Sequence, residues 1–212
     1  MTIKSRSADS VRERQKQTRR ARIEAAALAL FKARGFANTT VHEITRKARV
    51  AKGTFFNYFP TKESVLLAMG ERQLARLREV VAIDLADPRL DCMTRLSRLF
   101  DTLAHGLEAE EDPQLVQLIV FEAMKHPEAL GQDTHRLRLR GLLRSIVELG
   151  QMSGEVRSDL DADVIAQSLE GCYFQQLFQW CADPDRFELA DRLRTVVKIV
   201  FEGVGTTTHR EV

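Results

Sequence analysis

Residues Thr39–Lys62, TTVHEITRKARVAKGTFFNYFPTK, hold two short helical patterns divided by a tight break. Thr40-Val41-His42-Glu43 has capping-box spacing, so the first helix starts at Thr40, where the hydroxyl and the Glu43 carboxylate each satisfy a free backbone N–H. Val41, Ile44 and Ala48 then share one face. The second helix is expected over Ala51–Tyr58, where Phe55 and Phe59 form an i, i+4 stripe turned inward against Val41, Ile44 and Val50. Pro60 stops it. Packing through the two Phe rings leaves Lys52, Gly53, Thr54, Phe56, Asn57 and Tyr58 facing outward, on a helix small enough to enter a major groove.

Before this hairpin, Ile23, Ala27, Leu30, Phe31 and Arg34 follow helical spacing from Thr18 until Gly35, a C′ residue, ends the element. Residues 1–17 are polar and Arg-rich with almost no apolar periodicity, and read either as a mobile basic arm that extends the first helix when DNA is present or as a plain disordered tail. After the hairpin, Thr61 caps a long helix to about Leu85, with Val65, Leu66, Met69, Leu74, Leu77 and Val81 along one side and Asp87-Pro88 at its end. That helix joins residues 18–66 to residues 67–212 without a Gly/Ser linker. Further helical periods cover Asp91–Ala109, Pro113–Lys125, Gly131–Met152, Asp161–Ala182 and Pro184–Val204, each set off by Pro, Gly or acidic breaks. The expectation is an all-α chain of about nine helices.

Charge separates the two parts. Residues 1–66 carry 15 Lys/Arg against 5 Asp/Glu, a balance of +10, whereas residues 67–212 carry 17 against 25, a balance of −8. The net +2 of the whole chain conceals this split. Only the first part suits a polyanion, and its basicity supports attraction to nucleic acid. At 212 residues and 44% apolar content the chain can bury one large core or two modest ones. No apolar run reaches the ~18–20 residues of a membrane span, and the N-terminus has no apolar signal stretch, which points to the cytoplasm. Cys92, Cys172 and Cys181 are odd in number and lack CxxC spacing, as expected for free thiols rather than a disulfide framework or structural zinc site.

The histidines, His42, His105, His126, His135 and His209, are scattered, with no HExxH and no His/Cys pair at metal spacing. There is no GxSxG elbow, no GxGxxG after a strand and no phosphate-binding loop, so neither a catalytic constellation, a cofactor nor a metal is expected. Glu110-Glu111-Asp112 before Pro113 reads as a solvated helix start. Large side chains interleaved with polar ones mark a candidate effector pocket: Phe100, Leu103, Leu107, Phe121, Met124, His135, Leu139, Leu142, Tyr173, Gln176 and Trp180. His126, beside Pro127, reads as an exposed loop residue. Leu189, Leu193, Val196, Val197, Val200, Phe201 and Val204 form an almost unbroken apolar stripe on the last helix. The helix before it is apolar on more than one side.

The apolar first helix RIEAAALALFKARGF, then TTVHEI, then VAKGTFFNYFPTKE, resembles the TetR/AcrR family of transcriptional regulators over roughly Arg22–Leu67. Two positions depart from the family's usual pattern. Arg49 stands in the turn where Gly is common, at an αL cost of roughly 1–2 kcal/mol if φ is positive, and Ala51 replaces a Ser cap worth about 1 kcal/mol. The resemblance implies a homodimer on a pseudo-palindromic operator, most often a repressor, released by a small organic effector in the helical C-terminal domain. It also implies that Thr40, His42 and Lys62 touch phosphates or flanking bases. The last two helices would pair with their symmetry mates as a four-helix bundle, through Phe174, Phe178, Val197, Val200, Phe201 and Val204. An entirely intramolecular core is the alternative for those residues. For the whole chain, the alternatives are an architectural DNA-binding protein that senses nothing, or a helical enzyme with an ancillary DNA module.

Overall fold

The first helix is longer than its apolar pattern. In the computed structural model, which describes residues 3–109, 112–125 and 139–204 with backbone alone for 3–11, Met124 and Val204, α1 runs unbroken over Ile3–Arg34. It therefore starts at Ile3 rather than Thr18. The apolar stripe marks only where the helix packs, whereas Arg, Lys, Gln and Glu are themselves good helix formers and carry the helix on where nothing covers it. Every side chain from Arg12 to Arg22 is exposed, and burial begins at Ile23. Gly35, at φ 80°, ends the helix as a C′ residue.

Two short helices follow, α2 (Val41–Ala48) and α3 (Lys52–Phe56). The Thr40 hydroxyl accepts the Glu43 N–H, and the Glu43 carboxylate accepts the Thr40 N–H at 2.9 Å, completing the expected capping box. The break after α2 is a Schellman turn: the Arg49 N–H donates to the Arg46 carbonyl at 3.2 Å and the Val50 N–H to the Thr45 carbonyl at 3.0 Å. Arg49 sits at φ 51°, ψ 50°, the left-handed conformation that the departure from Gly implied. The Arg22 guanidinium offsets part of that strain by donating to the Arg49 carbonyl at 3.0 Å. Ala51 makes no side-chain cap, and α3 is shorter than expected, ending at Phe56 rather than Tyr58. Its last turn is still completed by the Phe59 N–H, which bonds the Phe55 carbonyl at 2.9 Å. Phe55 and Phe59 are fully buried with Ile23, Phe31 and Ile44.

The remaining helices are α4 (Glu63–Ala86), α5 (Cys92–Glu108), α6 (Pro113–Lys125), α7 (Leu139–Ser153), α8 (Ala162–Ala182) and α9 (Leu189–Val204). Thr61 and Ser64 exchange reciprocal bonds at 3.2 Å at the entry to α4. The chain divides into two compact units within α4, between Met69 and Gly70. In the second unit α5 packs on α7 and α9, and α8 packs on α6, α7 and α9. Their core joins Leu77, Leu96, Leu99, Phe100, Leu143, Ile146, Leu169, Tyr173, Leu177, Leu193 and Val197. Gly150 permits the close approach of α7 to α5, since a Cβ there would lie 2.9 Å from the Cys92 sulfur. The C-terminal end of α4 is fastened to α5 by buried Arg95, which donates to the carbonyls of Asp84 at 3.0 Å and Asp87 at 2.8 Å. Arg98 pairs with the buried Asp84 carboxylate at 3.0 Å.

One boundary differs from expectation near the C-terminus. The helix expected over Pro184–Val204 is split into a 3-10 turn, Pro184–Arg186, and α9, with extended Phe187 between them. The Glu108 carboxylate accepts the Leu189 N–H at 3.1 Å and so sets the new start. The helix expected from Gly131 is α7 from Leu139; residues 131–138, with His126 and His135, lie outside the described residues.

Candidate nucleic-acid interface

Burying Phe55 and Phe59 turns the opposite side of α3 to solvent. Lys52, Gly53, Phe56 and Asn57 are exposed there, and Thr54 and Tyr58 are half-buried beside them. Phe56 is 43% exposed although its ring meets Phe55 edge-on at 5.4 Å, so it projects an apolar edge that the chain itself does not cover. The Lys52 ammonium lies 6.0 Å from that ring. Gly53 is the least demanded residue of the helix. A Cβ there would meet nothing within 4 Å, so no packing inside the chain requires glycine, which costs about 0.5–1 kcal/mol relative to Ala in a helix.

Three further positions were expected to touch phosphates or flanking bases. His42 is exposed at the start of α2, and Thr40 is exposed with its hydroxyl engaged in the capping box. Lys62 is instead turned inward: its ammonium donates to the carbonyls of Phe36 at 2.7 Å and Thr39 at 2.9 Å and sits 4.1 Å over the Phe36 ring. It ties the α1–α2 loop to the entry of α4, so two of its three donors serve the chain itself. Sequence spacing gave no sign of this, because the two carbonyls it serves are more than twenty residues away in the chain. The exposed cations Arg46, Lys47 and Arg49 surround the turn instead. Arg46 and Lys47 occupy the last turn of α2, where the helix dipole favours positive charge.

In the second unit, Phe100, Leu103, Leu139, Leu142, Tyr173 and Trp180 are buried in one cluster, with Leu107 packed at its edge and the rings of Phe100 and Tyr173 stacked at 6.0 Å. Gln176 is half-buried, yet its side-chain carbonyl oxygen is fully buried and has no hydrogen-bond partner among the described residues. Phe121 departs from the group: it is 52% exposed on α6, against Phe178 at 6.5 Å. The Met124 side chain and His135 lie outside the described residues. Burial raises the Tyr173 hydroxyl above its ordinary range and pushes the Cys92 thiol up to about 12, so neither is poised to ionise near neutrality.

The stripe expected to form a dimer contact on α9 faces inward. Val197 is 0% exposed and belongs to the core of the chain itself, while Val200 and Phe201 are half-buried against the same core; the Val204 side chain lies outside the described residues. Phe174 and Phe178 are half-buried, their rings stacked at 6.4 Å. The outward face of α9 carries Thr195, Ile199 and Gly203, and that of α8 carries Val164, Ser168, Gly171 and Gln175. Val164 and Ile199 are 58% and 64% exposed.

Comparison with known proteins agrees with this division. Residues 23–69 match the family of bacterial regulatory proteins of the tetR family, and residues 71–203 match the C-terminal domain of TetR/AcrR family transcriptional repressors. The chain is 32% identical to Thermus thermophilus FadR, a TetR-family transcriptional repressor solved in complex with lauroyl-CoA, over 91% of this chain and 98% of that one, with a TM-score of 0.72. It is 23% identical to the fatty acid metabolism regulator protein of Bacillus subtilis (strain 168), over 90% of this chain and 98% of that protein. SmeT, the repressor of the Stenotrophomonas maltophilia multidrug efflux pump SmeDEF, shares the fold at a TM-score of 0.68 and 21% identity, covering 89% of this chain and 91% of that one. With both halves matched, the chain belongs to the TetR/AcrR family of DNA-binding transcriptional regulators.

Proposed function

We propose that this chain is a cytoplasmic, homodimeric repressor that leaves its operator when a long-chain acyl-CoA occupies the second unit. The observation that carries the effector class is the 32% identity, over 91% of the chain, to a repressor solved with lauroyl-CoA. The interior supports it. Phe100, Leu103, Leu142, Tyr173 and Trp180 supply apolar walls for an acyl chain, and the buried Gln176 oxygen is an acceptor awaiting a donor. An unsatisfied buried acceptor costs about 1–3 kcal/mol, and an amide N–H of the pantetheine arm would remove that cost.

On the DNA side, Asn57 is the base-edge reader, because its amide both donates and accepts; Phe56 meets a thymine methyl, and Lys52 a phosphate. Pairing of the protomers uses the outward faces of α8 and α9, where small residues, Ser168, Gly171, Thr195 and Gly203, let backbones approach around Val164 and Ile199.

Selection of genomic fragments by the purified protein, followed by titration with lauroyl-CoA, free CoA and laurate, tests the reading. The expected result is enrichment of a palindromic site whose complex dissociates with lauroyl-CoA alone. Enrichment with no response to any acyl-CoA would overturn the effector class and leave the DNA reading standing.

A further inference from the structure

We propose that the exposed cationic stretch of α1 from Arg12 to Arg22 is a second DNA-binding element, which lies along the duplex outside the half-site read by α3; this rests on the DNA-binding reading above. The phase of the helix carries the inference. Arg12, Lys16 and Arg19 fall at i, i+4 and i+7 and share a stripe with Ile23, which is fully buried in the hairpin core. The side of α1 that packs on the hairpin thus continues toward the N-terminus as a row of exposed cations. Where the cations begin, Arg22 grips the Arg49 carbonyl of the turn at 3.0 Å, and the Arg20 guanidinium lies 5.6 Å from the ring of Phe59, just beyond α3. The row therefore starts beside the surface that presents Lys52 and Asn57.

Charge and length agree with a duplex as the occupant. From Arg12 to Arg22 stand six Arg/Lys and one acid, Glu13, with no apolar side chain larger than Ala21 to bury in a protein partner or a bilayer. Twenty helical residues from Ile3 to Arg22 span about 30 Å, roughly nine base-pair steps of 3.4 Å.

The test uses the full chain and its selected operator in two duplex lengths, one ending at the edge of the palindrome and one with about ten further base pairs on each side. The parent is expected to bind the longer duplex at least tenfold more tightly at low salt. The triple variant Arg12→Gln, Lys16→Gln, Arg19→Gln keeps good helix formers; it should lose that gain and flatten the log–log salt slope by about 0.9 for each phosphate contact removed. Equal affinity of the parent for both lengths, a reading that needs no variant, would overturn the proposal while leaving α3 as the reader. Parental binding with no sequence preference would sink the DNA-reading assignment and this one together. A triple variant that keeps the parental slope would place the cations away from the phosphates and overturn the proposal on its own.

Discussion

The two units commit their polar groups differently. In residues 3–69 a small core of Ile23, Phe31, Ile44, Phe55 and Phe59 is framed by specific polar ties: the Thr40–Glu43 box, Arg22 on the turn, and Lys62 on two loop carbonyls. In residues 70–204 a large apolar core does most of the fastening, and buried Arg95 and Asp84 join α4 to α5. The polar ties fix where α2, the turn and the entry to α4 begin and end, and a single apolar pair, Phe55 and Phe59, then decides which side of α3 faces out. A large apolar core fixes that helices pack but not which of two apolar faces looks inward, and α9 is the case in point.

Placing a charge on each face of α9 puts the largest effect on this contrast. Val197→Asp introduces an unpaired carboxylate into the centre of the second unit and should cost more than about 4 kcal/mol, enough to unfold it. Ile199→Asp, on the outward face, should leave each chain folded and separate the dimer into monomers in sedimentation. If Val197→Asp melts like the parent, the inward stripe is not core; if Ile199→Asp remains dimeric, the pairing face lies elsewhere.

In the first unit the contrast sharpens between two lysines. Lys62→Ala removes two charge-assisted bonds to carbonyls and should lower stability by about 2 kcal/mol, without changing the salt slope of DNA binding. Lys52→Ala should leave the melt unchanged and reduce that slope by about 0.9. The reverse pattern would return Lys62 to the phosphates. Gly53→Ala should raise stability by about 0.5–1 kcal/mol while weakening operator affinity, since nothing within the chain opposes the methyl. A more stable variant with parental affinity would mean that no backbone approaches Gly53.

The smallest effect concerns acid. Hydrogen bonds from the Thr40 backbone and then its side chain hold the Glu43 carboxyl below its ordinary value, with Arg34 and Arg46 adding to the shift. A lowered folded pKa gives stability that is present above the unfolded value, about 4.3 for a glutamate, and is lost as pH falls through the folded value. Glu43→Gln should therefore flatten the loss of helix content below about pH 4; a parent-like acid profile would remove the capping box from the acid response.

Much of the first unit was legible because its signals are local. Thr40 and Glu43 are three residues apart, Pro60 follows Phe59 directly, and Gly35 closes α1, so caps and stops fall where short-range chemistry puts them. Two of its features were not. The run of α1 ahead of Ile23 follows from helix propensity, since Arg12–Arg22 are exposed and leave no apolar period to read. The inward turn of Lys62 depends on carbonyls brought to it by the loop after α1. In the second unit the helices were legible from their periods, while the choice of face on α9 and the surface position of Phe121 arise from packing between distant segments. Val197 and Ile199 are two residues apart and both aliphatic, so the chain alone does not distinguish core from surface between them.

If α3 reads sequence and an acyl-CoA in the second unit controls the reading, the ligand must act on specific binding above all. The most direct measurement is the affinity of the protein for its selected operator and for a shuffled duplex of the same length and salt, each with and without lauroyl-CoA. The account expects a specificity ratio on the order of 10³ or more without the ligand, falling toward unity with it. Equal affinity for both duplexes, unmoved by lauroyl-CoA, would contradict it and favour an architectural DNA-binding protein.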